Sequence, residues 1–340
     1  MLEQRERGTV YIGIVTYHSL PDLPACLAGV AAQTYQPLRV AVLDNASLDG
    51  VAEWLAEYAP LTTFIQNQEN VGFGRAHNQL IALHQFNTDD FYLALNPDVH
   101  LSPNYVEHLV NALADTSTGW ATGKLCRADA PAIIYSAGHA LLRDGYAFNI
   151  GYGLPDDGRF DQVRPVFGAP GAAALYTARL IRDIAPDGAL FDPMFFLYAE
   201  DVDVDWRAQR AGWSCLFVPQ AFATHRGSQP GPELRIKALA NRYLSVLKNA
   251  YWLDLLLFNS IFIIWHCSLR LLLSPRRGAW LIFHLLRNIR VVLRHRTSPR
   301  VPRHALVGWF RWSKVQPSPL TLWMRFRYLV KSERDELHRA

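Results

Sequence analysis

The feature that most constrains this chain is the alternation, from residue 10 to Asp98, of short apolar runs with segments of helical periodicity. Residues 10–17 are β-branched and apolar, bounded by Gly8 and by Ser19 and Pro21, and read as a buried strand. Helical spacing follows over 23–33, a strand over 39–43 that stops at Asp44-Asn45, and a helix over 51–58. A third strand (62–66), a glycine-containing loop (70–74), a helix (76–84) and a fourth strand (91–95) bring the chain to Asn96-Pro97-Asp98. Strands separated by one helix at this spacing make βαβ crossovers, so the expected fold is α/β with a mostly parallel, doubly wound sheet. Ligands of such sheets bind beyond the carboxyl ends of the strands. Thr16, Asp44, Asn70 and Asp98 all fall at those ends.

Beyond Gly119 the pattern turns irregular and rich in Gly and Asp, and surface strands and loops are expected as far as Val166. Residues 167–176 are small and lead into a helix near Thr177, and 195–213 carry the densest acidic cluster. Pro230 and Pro232 mark a boundary, giving an expected catalytic domain at 1–230 and a helical region at 231–340, with helices near 233–249, 254–273 and 279–293. Charge divides at the same place. Up to Gln229 there are 14 Lys and Arg against 25 Asp and Glu, a net of −11, and beyond it 20 against 5, a net of +15. An acidic body and a basic tail imply different surroundings for the two. The four cysteines are dispersed without a CxxC pair, and the polar N-terminus runs directly into a strand; a reducing, cytoplasmic setting without a signal peptide is expected.

Three places could carry chemistry. Asp98, after a buried strand, can hold a divalent ion that neutralises a diphosphate, although Asn-Pro-Asp is also an ordinary turn. His225, in a loop after a strand over 214–218, could complete such a site as a neutral imidazole or serve only structure. The stretch FFLYAEDVDVDWR places Glu200, Asp201, Asp203 and Asp205 within six residues. Helix capping uses one or two acids; four repel unless a cation is near. A functional role is therefore expected of Glu200 or Asp201, whereas Asp203 and Asp205 read as helix-start residues paired with Arg207 or Arg210. Asp44 combines turn signals with a strand-end position from which it could accept a hydrogen bond from a base. NVGFG is not a dinucleotide fingerprint, since His77 stands where the third Gly would be.

The motifs VTY, DNASLDG, NVGFGRAHN, LALNPDV, PGAAALY, FFLYAEDVDVDWRAQRAGW, THRGS and NRYLSVLKN occur in this order between about residues 9 and 250. Together they resemble the family 2 glycosyltransferases, most closely the bacterial rhamnosyltransferase-like enzymes of cell-surface polysaccharide assembly. The resemblance implies a GT-A fold and a divalent cofactor, Mg2+ or Mn2+. Thr16, Tyr17, Asp44 and Asn45 look like the nucleoside site. Asn70, Gly72, Arg75 and Asn78 resemble the segment along the ribose and phosphates. Asp98 matches the last acid of the family's DxD motif, whose first position here is Asn96, and His225 matches a further metal ligand. Gly171 and Ala172 look like backbone flanking the sugar, and Asp201 matches the catalytic base, with Glu200 beside it. Gln209-Arg210-Ala211-Gly212-Trp213 lacks the Arg that precedes Trp in the QxxRW motif of processive synthases, so addition of a single sugar is expected. The implied partners are a dTDP- or UDP-sugar donor, dTDP-L-rhamnose foremost, and a lipid-linked glycan acceptor.

The tail mixes Trp, Phe and Leu with Arg270, Arg276, Arg277, Arg287, Arg290 and Arg294, the composition of helices that lie in an anionic membrane interface. Its longest stretch without formal charge, 255–269, falls short of the roughly 20 apolar residues of a spanning helix. The expected location is therefore peripheral, on the inner face of the cell membrane. A helical subdomain packed on the body, or a homodimer contact, would use the same residues. A nucleic-acid-binding role is disfavoured by the acidic body and the lack of an RNP-type motif. A nucleotidyltransferase would carry a Gly-rich loop with Arg and Lys where His18-Ser19-Leu20-Pro21 stand.

Overall fold

The computed structural model describes residues 7–142, 145–227 and 231–310. It divides into two compact units, one formed by Met1–Ala140 and Phe148–Gly227, the other by Leu141–Ala147 and Ser228–Ala340.

The first unit begins as the hydrophobic alternation dictates. Strands β1 (Val10–Thr16), β2 (Leu38–Asp44), β3 (Thr63–Gln66) and β4 (Phe91–Leu95) are parallel, in the order β4-β1-β2-β3. The crossovers run through α1 (Leu23–Ala31), α2 (Val51–Tyr58) and α3 (Phe73–Ala82). Every residue of β4 is buried, as expected for a strand covered on both faces. A short strand β5 (Val99–Leu101) and helix α4 (Tyr105–Ala112) follow.

The segment after Gly119 differs from expectation. It opens with β6 (Thr118–Arg127), nine of whose ten residues are buried, inside the same sheet rather than on its surface. Glycines and threonines hide this strand from a hydrophobicity count, yet they fit it, because Gly123 lies where a Cβ would stand 1.9 Å from the Ala221 carbonyl oxygen. Next come β7 (Ala130–Ser136), β8 (His139–Leu141), β9 (Ala147–Asn149), β10 (Arg164–Val166) and β11 (Ala173–Thr177). Strand β11 enters between β4 and β6, antiparallel to both. Thr177 caps α5 (Ala178–Ile184) through its side chain, which accepts from Leu180 N–H. Helix α6 (Glu200–Ala211) ends at left-handed Gly212 and leads into β12 (Ser214–His225), parallel to β6. The sequence suggests a strand only to Val218; a register shift between Val218 and Phe222 absorbs the break at Pro219, and pairing resumes to His225.

The second unit is helical. Helix α7 (Pro232–Asn249) precedes α8 (Trp252–Asp254), which runs through a π-helical turn, Leu255–Asn259, into α9 (Ser260–Leu273). After it come α10 (Pro275–Arg294) and α11 (Arg303–Val307). The continuous helix Trp252–Leu273 is 22 residues long and contains an 18-residue window with a mean hydropathy of 1.7, so by length and composition it is long and apolar enough to cross a membrane. That corrects the expectation drawn from 255–269, because the helix starts earlier and ends later than the stretch without charge. The aromatic and basic residues from Arg311 onward, including 323–327, lie outside the described residues.

Candidate active site

The strand ends gather the residues that the sequence singled out. In-register pairing of β1 with β2 sets Thr16 beside Asp44, and Thr16 Oγ1 donates to Asp44 Oδ1 at 2.9 Å. Ser47 N–H donates to Asp44 Oδ2 at 2.8 Å and its hydroxyl to Oδ1, so the buried Asp44 carboxylate closes its own turn. Asn45 Nδ2 donates to the Gly72 carbonyl at 3.4 Å, joining this corner to the glycine loop. Tyr17, half exposed, is the open face of the corner.

In that loop Asn70 Oδ1 accepts from Gly72 N–H at 2.9 Å. Gly72 has a φ of +86°, and a Cβ there would lie 2.2 Å from the Phe196 carbonyl oxygen, which itself accepts from Phe73 N–H at 3.0 Å. Only glycine allows so close an approach. Arg75 is exposed, with Nε donating to the Pro193 carbonyl at 3.2 Å. Asn78 spends both ends of its amide on the Phe191 backbone, donating at 2.7 Å and accepting at 3.0 Å, which ties α3 to the approach to α6. His77 lies in the core on the Tyr92 hydroxyl, 2.7 Å away, and burial pulls its imidazole down to about 3.

Asp98 and His225, distant in sequence, meet here. Pairing of β12 with β5 sets His225 against Val99, and His225 Nε2 lies 3.1 Å from Asp98 Oδ1. Gly227 N–H donates to Asp98 Oδ2 at 3.0 Å. Burial would push the Asp98 carboxyl up, but His225 and the backbone donors outweigh it and hold it below the usual range. The pair fits a divalent ion. Two donors on one ion, each about 2.1 Å from it at a right angle, sit roughly 3 Å apart, close to the observed separation. His225 Nδ1 is buried and has no hydrogen-bond partner among the described residues, so Asp98 is the ring's partner there. Among the described residues no group of three or more His, Cys, Asp or Glu gathers around an ion position. Asp98 and His225 would therefore be the protein's own ligands, leaving the other positions to diphosphate and water.

The acidic cluster separates on folding. Tyr198 and Ala199, with φ of +69° and +72°, place two successive non-glycine residues in the left-handed region immediately before α6. Such positions cost about 1–3 kcal/mol each and concentrate at functional sites. The kink turns the two acids to different surroundings. Glu200 is buried near Gly74, its Oε2 lacking a partner, and burial reinforced by the Asp201 charge pushes its carboxyl well above the usual range. Asp201 stays partly open, accepting from Gly171 N–H at 3.0 Å and from its neighbour Val202 N–H at 2.8 Å. Asn96 N–H donates to the Ala172 carbonyl at 2.8 Å, so the backbone that carries Asp98 and the backbone that holds Asp201 are stitched together. The Tyr135 phenol, its ring 4.3 Å from that of His225, is raised to about 12 by burial and then by charges that include both Asp98 and Asp201.

Asp203 pairs with Arg207 at 2.8 Å, as the four-residue spacing suggests. Asp205 forms no ion pair with an arginine among the described residues. Its carboxylate accepts from Trp120 Nε1 at 2.9 Å and Ala169 N–H at 3.1 Å, and lies 2.8 Å from His139 Nδ1. Helical spacing pointed to Arg207 and Arg210, while these partners come from 36 to 85 residues away. His139 and Trp120 carry no local signal that could have found them.

Taken together, a parallel half with polar residues at its strand ends, an Asp–His pair and a partly open carboxylate fit a glycosyltransferase of the GT-A fold. Comparison with known proteins agrees. The profile described as Glycosyl transferase family 2 matches residues 11–140, and that described as Glycosyl transferase family group 2 matches residues 93–293. The chain belongs to the family 2 glycosyltransferases. It is similar to an N-acetylglucosaminyl-diphospho-decaprenol L-rhamnosyltransferase of Mycobacterium tuberculosis, 28% identical over 230 residues, which are 62% of this chain and 74% of that protein. Among solved structures, GalNAc-T7 with UDP, GalNAc and Mn2+ superposes with a TM-score of 0.53 at 13% identity, over 72% of this chain and 48% of that one. The mannosyltransferase PcManGT of Pyrobaculum calidifontis, in complex with GDP-Man and Mn2+, gives 0.50 at 16% identity, over 97% and 87% of the two chains. At these identities the structures establish the shared fold.

Proposed function

We propose that this protein is an inverting, non-processive rhamnosyltransferase that moves L-rhamnose from dTDP-L-rhamnose to a lipid-linked glycan acceptor at the inner face of the cell membrane. The observation that carries this reading is the partly open carboxylate of Asp201, held on the Gly171 N–H, whose neighbour Ala172 is bonded to Asn96 on the segment that carries Asp98. Inverting transfer needs one base to take the acceptor's proton while the acceptor oxygen attacks the anomeric carbon opposite the leaving nucleotide. Asp201 takes that proton, with Glu200 packed behind it. Thr16, Tyr17, Asp44 and Asn45 form the nucleoside corner; Asn70, Gly72, Arg75 and Asn78 form or brace the wall along ribose and phosphates; Asn96, Gly171 and Ala172 supply backbone around the sugar. Asp98 and His225 would hold Mg2+ or Mn2+, which supplies charge neutralisation for the departing diphosphate when bound.

The choice of rhamnose and of a lipid-linked acceptor is supported by the mycobacterial relative, whose name states both. Membrane attachment is supported by the second unit, where Trp252, Leu256, Ile261, Ile264 and Leu272 are exposed along one apolar helix that α10 follows with Arg276, Arg287, Arg290 and Arg294. The reading is tested by incubating the protein with Mn2+, dTDP-L-rhamnose and an N-acetylglucosaminyl-diphospho-polyprenol. A rhamnosylated lipid of inverted anomeric configuration is expected. Product from a UDP-hexose and none from dTDP-L-rhamnose would replace rhamnose by that hexose.

A further inference from the structure

His139 and Asp205 lie behind Asp201, and the steps above use neither. His139 Nδ1 is 2.8 Å from Asp205 Oδ2, and the other ring nitrogen, Nε2, is 3.9 Å from Asp201 Oδ2. The imidazole is buried between two carboxylates of one helix, a turn apart on α6. The slot is closely built. Asp205 Oδ1 takes donors from Trp120 and Ala169, which leaves Oδ2 for the ring, and a Cβ on Gly168 would lie 1.8 Å from that oxygen. His139 is itself fixed by its backbone, donating to the Gly168 carbonyl at 2.7 Å and accepting from Phe167 N–H at 3.1 Å. With Nδ1–H committed to Asp205, only Nε2 is free to face Asp201, and a proton on it makes the ring a cation.

We propose that His139, held on Asp205, is a positioning residue that sets a positive charge against Asp201, the carboxylate that takes the acceptor's proton. This rests on Asp201 being the base. During transfer the acceptor O–H proton passes to Asp201, the acceptor oxygen bonds to the anomeric carbon, and the bond from that carbon to the diphosphate oxygen breaks, the nucleotide leaving with the electron pair. His139 keeps its proton throughout. Other titratable groups around the pair are Tyr135 on β7, Tyr176 on β11 and Cys215 on β12, which burial raises and so keeps neutral near pH 7, and Glu200 on α6, whose carboxyl burial pushes well above the usual range. Among the described residues, His139 is the basic side chain within 4 Å of both Asp201 and Asp205. Burial alone would pull its imidazole down, but the Asp205 hydrogen bond and the two carboxylate charges outweigh burial, and the net direction is up.

The test is the pH profile of kcat/KM for His139→Asn, which keeps an N–H donor for Asp205 and removes the charge. The acid limb is expected to move up by about one pH unit or more, a roughly tenfold loss on that limb, with activity largely restored at high pH. A profile superimposable on the native one would overturn the proposal. If the variant does not fold, NMR titration of the native protein with labelled histidine decides. The His139 ring should remain protonated at pH 7 and titrate lower in Asp201→Asn; a neutral ring at pH 7, or one indifferent to Asp201→Asn, would overturn it. Full transfer by Asp201→Asn would remove the base reading itself. An inactive Asp201→Asn beside an unshifted His139→Asn would remove only the present inference.

Discussion

Glu200 and Asp201 are adjacent in the chain and chemically almost equivalent, yet folding gives them opposite surroundings. The left-handed pair Tyr198-Ala199 turns Glu200 into the core and leaves Asp201 on an open N–H. A buried carboxyl whose folded value stands above its unfolded one contributes stability that is present below about pH 4.5 and is lost as pH rises toward the folded value. Glu200→Gln should therefore melt higher than the native protein at pH 8, with the difference shrinking toward pH 5. Each kilocalorie moves Tm by about 2–4 °C in a domain of this size, and differential scanning fluorimetry at the two pH values checks it. The sequence displays four acids in six residues and so points to the cluster. Sorting them requires the kink, and alanine and tyrosine in left-handed conformation leave no compositional trace.

At the scale of elements, the parallel half was legible because β1, β2, β3 and β4 are apolar runs ending on polar residues at regular spacing. Strand β6 was not, since TGWATGKLCR reads as a loop until β12 and β11 pair on either side of it. Asp205 was misjudged for the same reason: helical spacing reveals neighbours on α6 but not Trp120 on β6 or His139 on β8. The Gly168–Ala169 turn, which follows β10, serves that pocket directly. Gly168→Ala should displace the Asp205 carboxylate, strand the donors of Trp120 and Ala169, and destabilise the fold by about 2 kcal/mol or more. Urea unfolding followed by tryptophan fluorescence measures this, and an unchanged midpoint would show that the slot yields.

At the scale of the whole molecule, charge divides as the units do, with a net of −11 up to Gln229 and +15 beyond it. An acidic body suits an enzyme that recruits a cation, and a basic, apolar helical unit suits an anionic lipid surface. Sequence alone showed the charge boundary; it understated the helix from Trp252 to Leu273, whose π-helical turn joins two segments that a charge count separates. The exposed apolar side chains give the test. Replacing Leu256, Ile261 and Ile264 by Ser should weaken binding to vesicles containing phosphatidylglycerol by at least about tenfold, measured by flotation. Unchanged flotation would refute membrane contact through this helix.

The central claim is that Asp201 takes the acceptor's proton, and one variant addresses it directly. Asp201→Asn preserves shape and can still accept from the Gly171 N–H through its amide oxygen, but it has no basic oxygen. With dTDP-L-rhamnose, Mn2+ and the polyprenyl acceptor, its single-turnover rate should fall by about 10²–10⁴-fold, while calorimetric affinity for the donor stays close to native. A variant that transfers sugar at the native rate would contradict the account.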